Sequence, residues 1–239
     1  GELASTEFFY YHLREKNVEC RLLPALHFMS IDENQEPELD KIGERLKALL
    51  PSMVKQEILI TQGYICRNHR NEIDNLKRGG SDYTASLIGA AIQADEVQIW
   101  TDIDGMHNND PRIVKHTLPI AELTFDEASE LAYFGAKILH PSTIVPAQKR
   151  GVPVRLKNTM DEKAFGTLIS DKGTAGVIKA VAAKDGIIAI NIKSSRMLLA
   201  FGFLREVFEV FERYKTPIDM ISTSEVAVSL TIDDPRNLD

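Results

Sequence analysis

Apolar and polar residues alternate along the chain with two different periods, which predict helices and strands in turn. Between Leu39 and Leu50, leucine and isoleucine recur at helical spacing, and Pro51 ends the predicted helix. Glu57–Gly63 and Val97–Thr101 contain short apolar runs, typical of strands that are buried on both faces. Further helices are predicted at Glu7–Lys16, Phe125–Tyr133 and Pro141–Lys149, and further strands at Val18–Leu23 and Val152–Leu156. Strands that alternate with helices favour an α/β fold with a mostly parallel sheet covered on both sides.

The pattern changes at Ser170–Gly176, a small polar stretch that reads as a linker. After it, strands are predicted at Val177–Ala183, Ile187–Lys193, Asp219–Thr223 and Val226–Thr231, with a helix at Phe201–Tyr214. Four strands and one helix in about 60 residues predict a second, smaller α+β domain. We therefore expect one domain over residues 1–172 and another over residues 173–239.

The composition narrows the class of protein. The 239 residues are 44% apolar and 26% charged, as in an ordinary soluble protein, and the net charge of −7 argues against a nucleic-acid partner. No apolar run approaches the length of a membrane span, so no membrane partner is expected. Two separated cysteines, Cys20 and Cys66, favour a reduced, cytoplasmic protein. The six histidines show no metal-ligand spacing with one another or with these cysteines, and no protein metal site is predicted.

The segment from Arg78 to Thr84 carries the strongest signal for a binding site. Its two glycines allow close approach to a ligand, and Ser81 or Asp82 is a natural cap for a helix predicted at Thr84–Ala94. A helix N-terminus presents free N–H groups and a positive dipole end, and Arg78 adds a cation suited to carboxylate or phosphate. An ordinary turn between a polar loop at Arg67–Lys77 and a capped helix explains the same residues.

Two further polar clusters follow the glycine turn. Asp102 and Asp104 come directly after a predicted strand, where open α/β sheets bind ligands, and can hold ribose hydroxyls or a Mg-bound water. Arg112 can meet a phosphate, although a plain polar turn is the alternative. In the segment Phe134–Pro141, Lys137 can reach a phosphate as a point charge, or can simply snorkel at a helix end.

These three clusters, in this order and spacing, resemble the aspartate kinases of the amino-acid kinase family. Gly1-Glu2-Leu3-Ala4-Ser5 and Thr61-Gln62-Gly63-Tyr64-Ile65 extend the resemblance over the chain. It implies an amino-acid-kinase-like three-layer sandwich followed by an ACT-type regulatory domain. It also implies transfer of the ATP γ-phosphoryl to the side-chain carboxylate of L-aspartate, with Mg²⁺ bridging the phosphates.

The resemblance also implies roles for individual residues, with Asp82 as the catalytic group that orients the transferring phosphoryl. The residues implied to hold aspartate are Glu2, Arg78, Gly79, Gly80 and Ser81. The residues implied to hold the nucleotide are Thr101, Asp102, His107, Arg112 and Lys137.

Three departures from the family pattern qualify these expectations. The family's opening Lys-Phe-Gly-Gly strand is absent, so we expect little or no kinase activity from this polypeptide as given. The alternative is a catalytically silent module that senses an amino acid and dimerises. His107 stands near where the family usually has a tyrosine that stacks by the nucleotide, and Asn75-Leu76-Lys77 stands where it often has Thr-Leu-Gly.

The C-terminal unit resembles an ACT domain with the effector site of the lysine-inhibited aspartate kinases. The residues implied for that site are Met197, Gly202, Phe203, Leu204, Ile218, Asp219, Ser224 and Glu225. Lysine is the favoured effector and a homodimer the expected assembly. The alternative for the helical residues is that Phe203, Leu204, Phe208 and Phe211 simply form the core beneath the helix.

Overall fold

The computed structural model of the chain describes residues 1–50, 58–77, 79–134, 139–173, 178–193 and 201–234. The structure divides into two compact units, Gly1–Ala182 and Ala183–Asp239. The helices of the first unit are α1 (Glu2–Glu15), α2 (Leu39–Leu49), α3 (Gly80–Ile92), α4 (Phe125–Phe134) and α5 (Val145–Arg150). Its strands are β1 (Cys20–Leu22), β2 (Ile58–Ile60), β3 (Ile65–Arg67), β4 (Ile73–Asn75), β5 (Val97–Thr101), β6 (Glu122–Thr124), β7 (Val154–Asn158) and β8 (Thr167–Ser170).

The sheets of the first unit are mixed. Among its described strands, three of the five pairings are parallel (β1 with β2, β5 with β7 and β6 with β8), so the predicted preference for parallel strands holds in part. The four-stranded sheet has the order β5-β7-β8-β6, with β7 and β8 antiparallel and the outer pairs parallel. Residues 159–166 are too few for a parallel crossover, which needs about a dozen or more residues, so β8 must run back along β7. Gly166 makes this return possible, because a Cβ there would lie 1.8 Å from the carbonyl oxygen of Leu156.

Helix α3 lies between two hydrophobic clusters and fixes the position of the glycine turn. Leu87 belongs to a cluster with Phe28, Met29 and Ile42 from the α2 side of the unit. Ala85 packs on the other cluster, whose members come from β5 to β8, α4, α5 and the segments between them. Because α3 is held on both sides, its first turn is anchored to the core of the unit.

Three local predictions in the first unit hold only in part. Residues 67–77 form the hairpin β3–β4 instead of a loop, because the Asn68 carboxamide oxygen accepts the N–H groups of Arg70 and Glu72 and closes the turn. Strand β2 is not buried on both faces. Ile58 is 46% exposed, because β2 pairs only with β1 among the described strands. The predicted helix at 141–149 is a 3-10 turn, Pro141–Ile144, followed by α5.

The second unit contains β9 (Ile188–Lys193), α6 (Phe203–Arg213), β10 (Met220–Thr223) and β11 (Ala227–Ile232). Its antiparallel sheet has the order β10-β11-β9, and α6 covers one face through Val207, which packs with Val228 and Leu230. The strand predicted at 177–183 is not formed over the described residues 178–183. Within the described parts of the chain, every helix is too short or too polar to cross a lipid bilayer.

Candidate functional site

An open cleft of about 690 Å³ lies at the N-terminal end of α3. Its lining residues are Glu2, Tyr64, Asn75, Lys77, Gly79, Gly80, Ser81 and Asp82. Five of the residues that the sequence implicates in substrate binding and catalysis therefore share one cavity.

The glycine turn opens α3 directly onto this cleft. The helix begins at Gly80 after Gly79, which has a left-handed backbone with φ of +70°. Ser81 and Asp82 lie in the first turn, so the prediction that either caps the helix is wrong, and no side chain caps it. The uncapped N–H groups and the positive end of the helix dipole are available to an anion in the cleft.

Neighbouring residues leave no room for a Cβ at Gly80 in this turn or at Gly63, which packs against it. At Gly80 a Cβ would lie 2.5 Å from the Tyr64 ring, and at Gly63 one would lie 3.0 Å from the Ser81 Cα. The segment at residues 61–65 therefore packs directly on the start of α3. The Tyr64 N–H donates to the Thr84 hydroxyl at 3.0 Å, and that hydroxyl donates to the carbonyl of Gly80 at 2.7 Å.

A buried glutamine ties the start of α1 to the same place. Gln62 is 1% exposed, accepts the Ala25 N–H at 2.8 Å and donates its amide to the Thr6 hydroxyl at 2.7 Å. Thr6 in turn donates to the carbonyl of Glu2 at 2.9 Å. This chain of hydrogen bonds fixes the backbone of Glu2 beside the glycine turn.

Asp82 is the carboxylate nearest the glycine turn, and burial raises the pKa of this carboxyl. Among the described residues, its side chain has no hydrogen-bond or ion-pair partner. A half-buried, unpaired carboxylate in a cleft is typical of a group that meets a ligand.

The candidate nucleotide-binding residues after β5 form hydrogen bonds with other residues of the same loop. Thr101 donates its hydroxyl to Asp102 at 3.0 Å. The His107 ring is fixed at both nitrogens, by Asp104 and by Thr117, each at 2.7 Å.

Arg112 is exposed and makes a bidentate pair with Asp110, which raises the pKa of the guanidinium. An arginine that is already paired with a carboxylate must exchange that partner before it can meet a phosphate.

The structure brings together only part of the predicted site. Four nucleotide candidates that it describes, Thr101, Asp102, His107 and Arg112, do not line the cleft at α3. Arg78, Lys137 and Met197 lie outside the described residues.

Sequence reasoning missed Tyr64, Asn75 and Lys77 as lining residues of the cleft. The sequence did indicate that these residues lie near the site, since Tyr64 belongs to the motif at residues 61–65 and Asn75 and Lys77 come just before the motif at residues 78–84. Their side-chain types did not indicate a role in binding.

The effector candidates of the second unit have mixed environments. Phe203, Phe211 and Ile218 pack against the core of the unit, whereas Leu204 and Phe208 are 39% and 41% exposed. The core interpretation therefore holds for only part of α6. The remaining described candidates lie at turns and strand ends: Gly202 with φ of +92°, Asp219, Ser224 and Glu225.

A glycine turn that opens a helix onto a charged cleft is typical of α/β proteins that bind small anionic ligands. Residues 1–158 match the model of the amino acid kinase family, and the chain belongs to this family.

Within this family, the chain is similar in sequence to aspartokinases. The chain is 38% identical over 237 residues to the lysine-sensitive aspartokinase 3 of Escherichia coli strain K12, covering 98% of the chain and 53% of that protein. It is 37% identical to the chloroplastic aspartokinase 1 of Arabidopsis thaliana, covering 98% of the chain and 42% of that protein. The predicted resemblance to the aspartate kinases is confirmed, and the chain spans about half the length of these relatives.

Solved structures agree with the sequence comparison. Escherichia coli aspartokinase III in complex with aspartate and ADP superposes with a TM-score of 0.85 at 37% identity, covering 98% of the chain and 53% of that structure. The same enzyme in complex with lysine and aspartate gives a TM-score of 0.76 at 36% identity, with the same coverage. The first unit therefore has the amino-acid-kinase fold with mixed sheets.

Proposed function

We propose that the chain is part of an aspartate kinase, which transfers the γ-phosphoryl of ATP to the side-chain carboxylate of L-aspartate. The observation that carries this proposal is the cleft at the start of α3, where Glu2 and Asp82 flank the uncapped glycine turn. Similarity to an enzyme whose structure holds aspartate and ADP supports the choice of substrates.

The chemistry suits the groups present. A substrate carboxylate is already a nucleophile, so a bond from its oxygen to the γ-phosphorus forms while the bond from that phosphorus to the ADP oxygen breaks. No base is needed, and catalysis rests on positioning and on neutralising charge. In this proposal Glu2 binds the ammonium of aspartate, and Arg78 and the N–H groups of Gly79, Gly80 and Ser81 hold a carboxylate. Asp82 orients the groups around the transferring phosphoryl.

For the nucleotide we propose the loop after β5, with Thr101, Asp102 and His107 near the nucleoside and Arg112 near the phosphates. Lys137 is the second cation proposed for the nucleotide. Among the described residues, no three histidine, cysteine, aspartate or glutamate side chains are grouped to hold a metal ion. In this proposal Mg²⁺ would be bound to the phosphates of ATP and would neutralise their charge.

The test uses calorimetric titration of the 239-residue chain, which does not depend on turnover. Glu2→Gln should weaken L-aspartate binding about tenfold, because it removes the charged partner of the ammonium. Succinate, which lacks the ammonium, should bind the variant and the parent chain alike. Glu7→Gln is the matched control, since Glu7 is exposed on the same helix. An absence of aspartate binding by the parent chain would contradict the proposal.

For the second unit we propose an ACT-type sensor with lysine as effector and a homodimer as the assembly. The start of α6 at Gly202 presents N–H groups for the effector carboxylate, and in this proposal Asp219 or Glu225 meets its amines. Similarity to an aspartokinase whose structure holds lysine supports this ligand. Titration with lysine and with threonine tests the proposal, and no heat from either would contradict it. Effector binding without kinase turnover would favour the silent sensing module.

A further inference from the structure

Lys77 is a lysine in an unfavourable backbone conformation at the edge of the cleft. Its φ is +63°, in the left-handed region that disfavours residues with a Cβ. The Asn75 carboxamide oxygen accepts the Lys77 N–H at 3.0 Å and holds the residue there. Tyr64, with φ of +70°, lines the same cleft, so two strained residues face one cavity. Such strain concentrates at ligand sites, where the surrounding structure maintains it.

The charged residues that line the cleft suggest a ligand-binding role for this lysine. Glu2 and Asp82 are the described acidic residues of the lining, and Lys77 is the described cation. Among the described residues, its ammonium makes no hydrogen bond or ion pair. Lys179, by contrast, is paired with Glu127 at 2.7 Å. A cleft for an amino acid with two carboxylates needs cationic as well as acidic groups, and Lys77 is available for that contact.

We propose that Lys77 is a substrate-binding residue whose ammonium binds a carboxylate of the amino-acid substrate. This role rests on the proposed function. A glycine at this position would adopt the left-handed backbone without strain, so the backbone alone does not require a lysine here.

Three variants of the 239-residue chain separate the charge of Lys77 from its backbone. Lys77→Met keeps an unbranched side chain without the charge, and should weaken L-aspartate binding about fivefold. Lys77→Arg restores a cation and should bind within about twofold of the parent chain. Lys77→Gly should weaken binding while leaving stability to urea unreduced, because it relieves the left-handed strain. Lys172→Met, at an exposed lysine outside the cleft, is the control.

Calorimetric titration with L-aspartate and, separately, with MgATP identifies the anion. Weaker aspartate binding with unchanged MgATP binding is the expected result for Lys77→Met. Unchanged binding of both ligands overturns the role of Lys77 and leaves the proposed function standing. Weaker MgATP binding with unchanged aspartate binding overturns the carboxylate assignment. If the parent chain binds no aspartate, the proposed function fails and the role of Lys77 fails with it.

Discussion

Gly79→Ala tests whether the glycine turn is fixed by the structure around it. The substitution places a Cβ on a backbone with φ of +70°, 2.8 Å from the Thr143 methyl and 3.2 Å from the His140 Cβ. Thr143 cannot easily move away, because it is fully buried and its hydroxyl donates to the His140 carbonyl at 2.6 Å. We expect a left-handed penalty of about 1 kcal/mol or more, and about 1–3 kcal/mol from overpacking.

Gly151→Ala is the matched control for the left-handed penalty alone. Gly151 has φ of +65°, and the nearest atom to an added Cβ is 3.9 Å away. The two variants should therefore differ by about 1–3 kcal/mol in the free energy of unfolding. Urea unfolding followed by tryptophan fluorescence reports on the first unit, because Trp100 in β5 is the only tryptophan.

A second substitution tests whether the Thr143 methyl group causes the loss of stability in Gly79→Ala. Thr143→Ser removes the methyl group that clashes and keeps the hydroxyl, so in the Gly79→Ala background it should recover part of the lost stability. Equal losses for Gly79→Ala and Gly151→Ala, or no recovery in the double variant, would refute the steric argument.

Three further predictions concern other residues of the first unit. Burial raises the pKa of Asp82, so its ionised form destabilises the folded state. Asp82→Asn should therefore raise the urea midpoint at pH 7, with an advantage that shrinks as the pH falls toward about 4, and a pH-independent advantage would contradict this. Thr124→Ala should destabilise the unit by about 1 kcal/mol in the same urea assay, because the Thr124 hydroxyl accepts the Glu127 N–H at 3.1 Å in a reciprocal cap of α4. Burial, with a smaller contribution from Asp74, raises the pKa of the Cys66 thiol to about 11, so mass spectrometry should find Cys66 unalkylated by iodoacetamide at pH 8 in the native chain and alkylated in urea.

The helices with a clear apolar stripe could be predicted from the sequence. Helix α2 begins and ends within a residue of the predicted span, since Leu39, Ile42 and Leu46 face the core and Pro51 follows. Strands β6 and β8 were missed because each begins and ends on a polar residue, so neither shows an apolar run. The hairpin β3–β4 was missed because the Asn68 side chain, and no apolar alternation, sets its turn.

Some residues of the candidate site could be predicted from the sequence and others could not. The glycine motif predicted an anion site at the start of a helix, with an ordinary turn as the alternative. Glu2 was predicted only through the resemblance to the aspartate kinases. Tyr64 and Lys77 were not predicted, since their left-handed backbones depend on the hydrogen bonds of the hairpin and of α3, which no local pattern encodes.

A crystal structure of the 239-residue chain with L-aspartate would show whether the cleft at the start of α3 is the substrate site. We expect density for the amino acid in this cleft, with its ammonium at Glu2 and a carboxylate at the N–H groups of Gly80 and Ser81. Aspartate bound elsewhere, with this cleft unchanged, would contradict it.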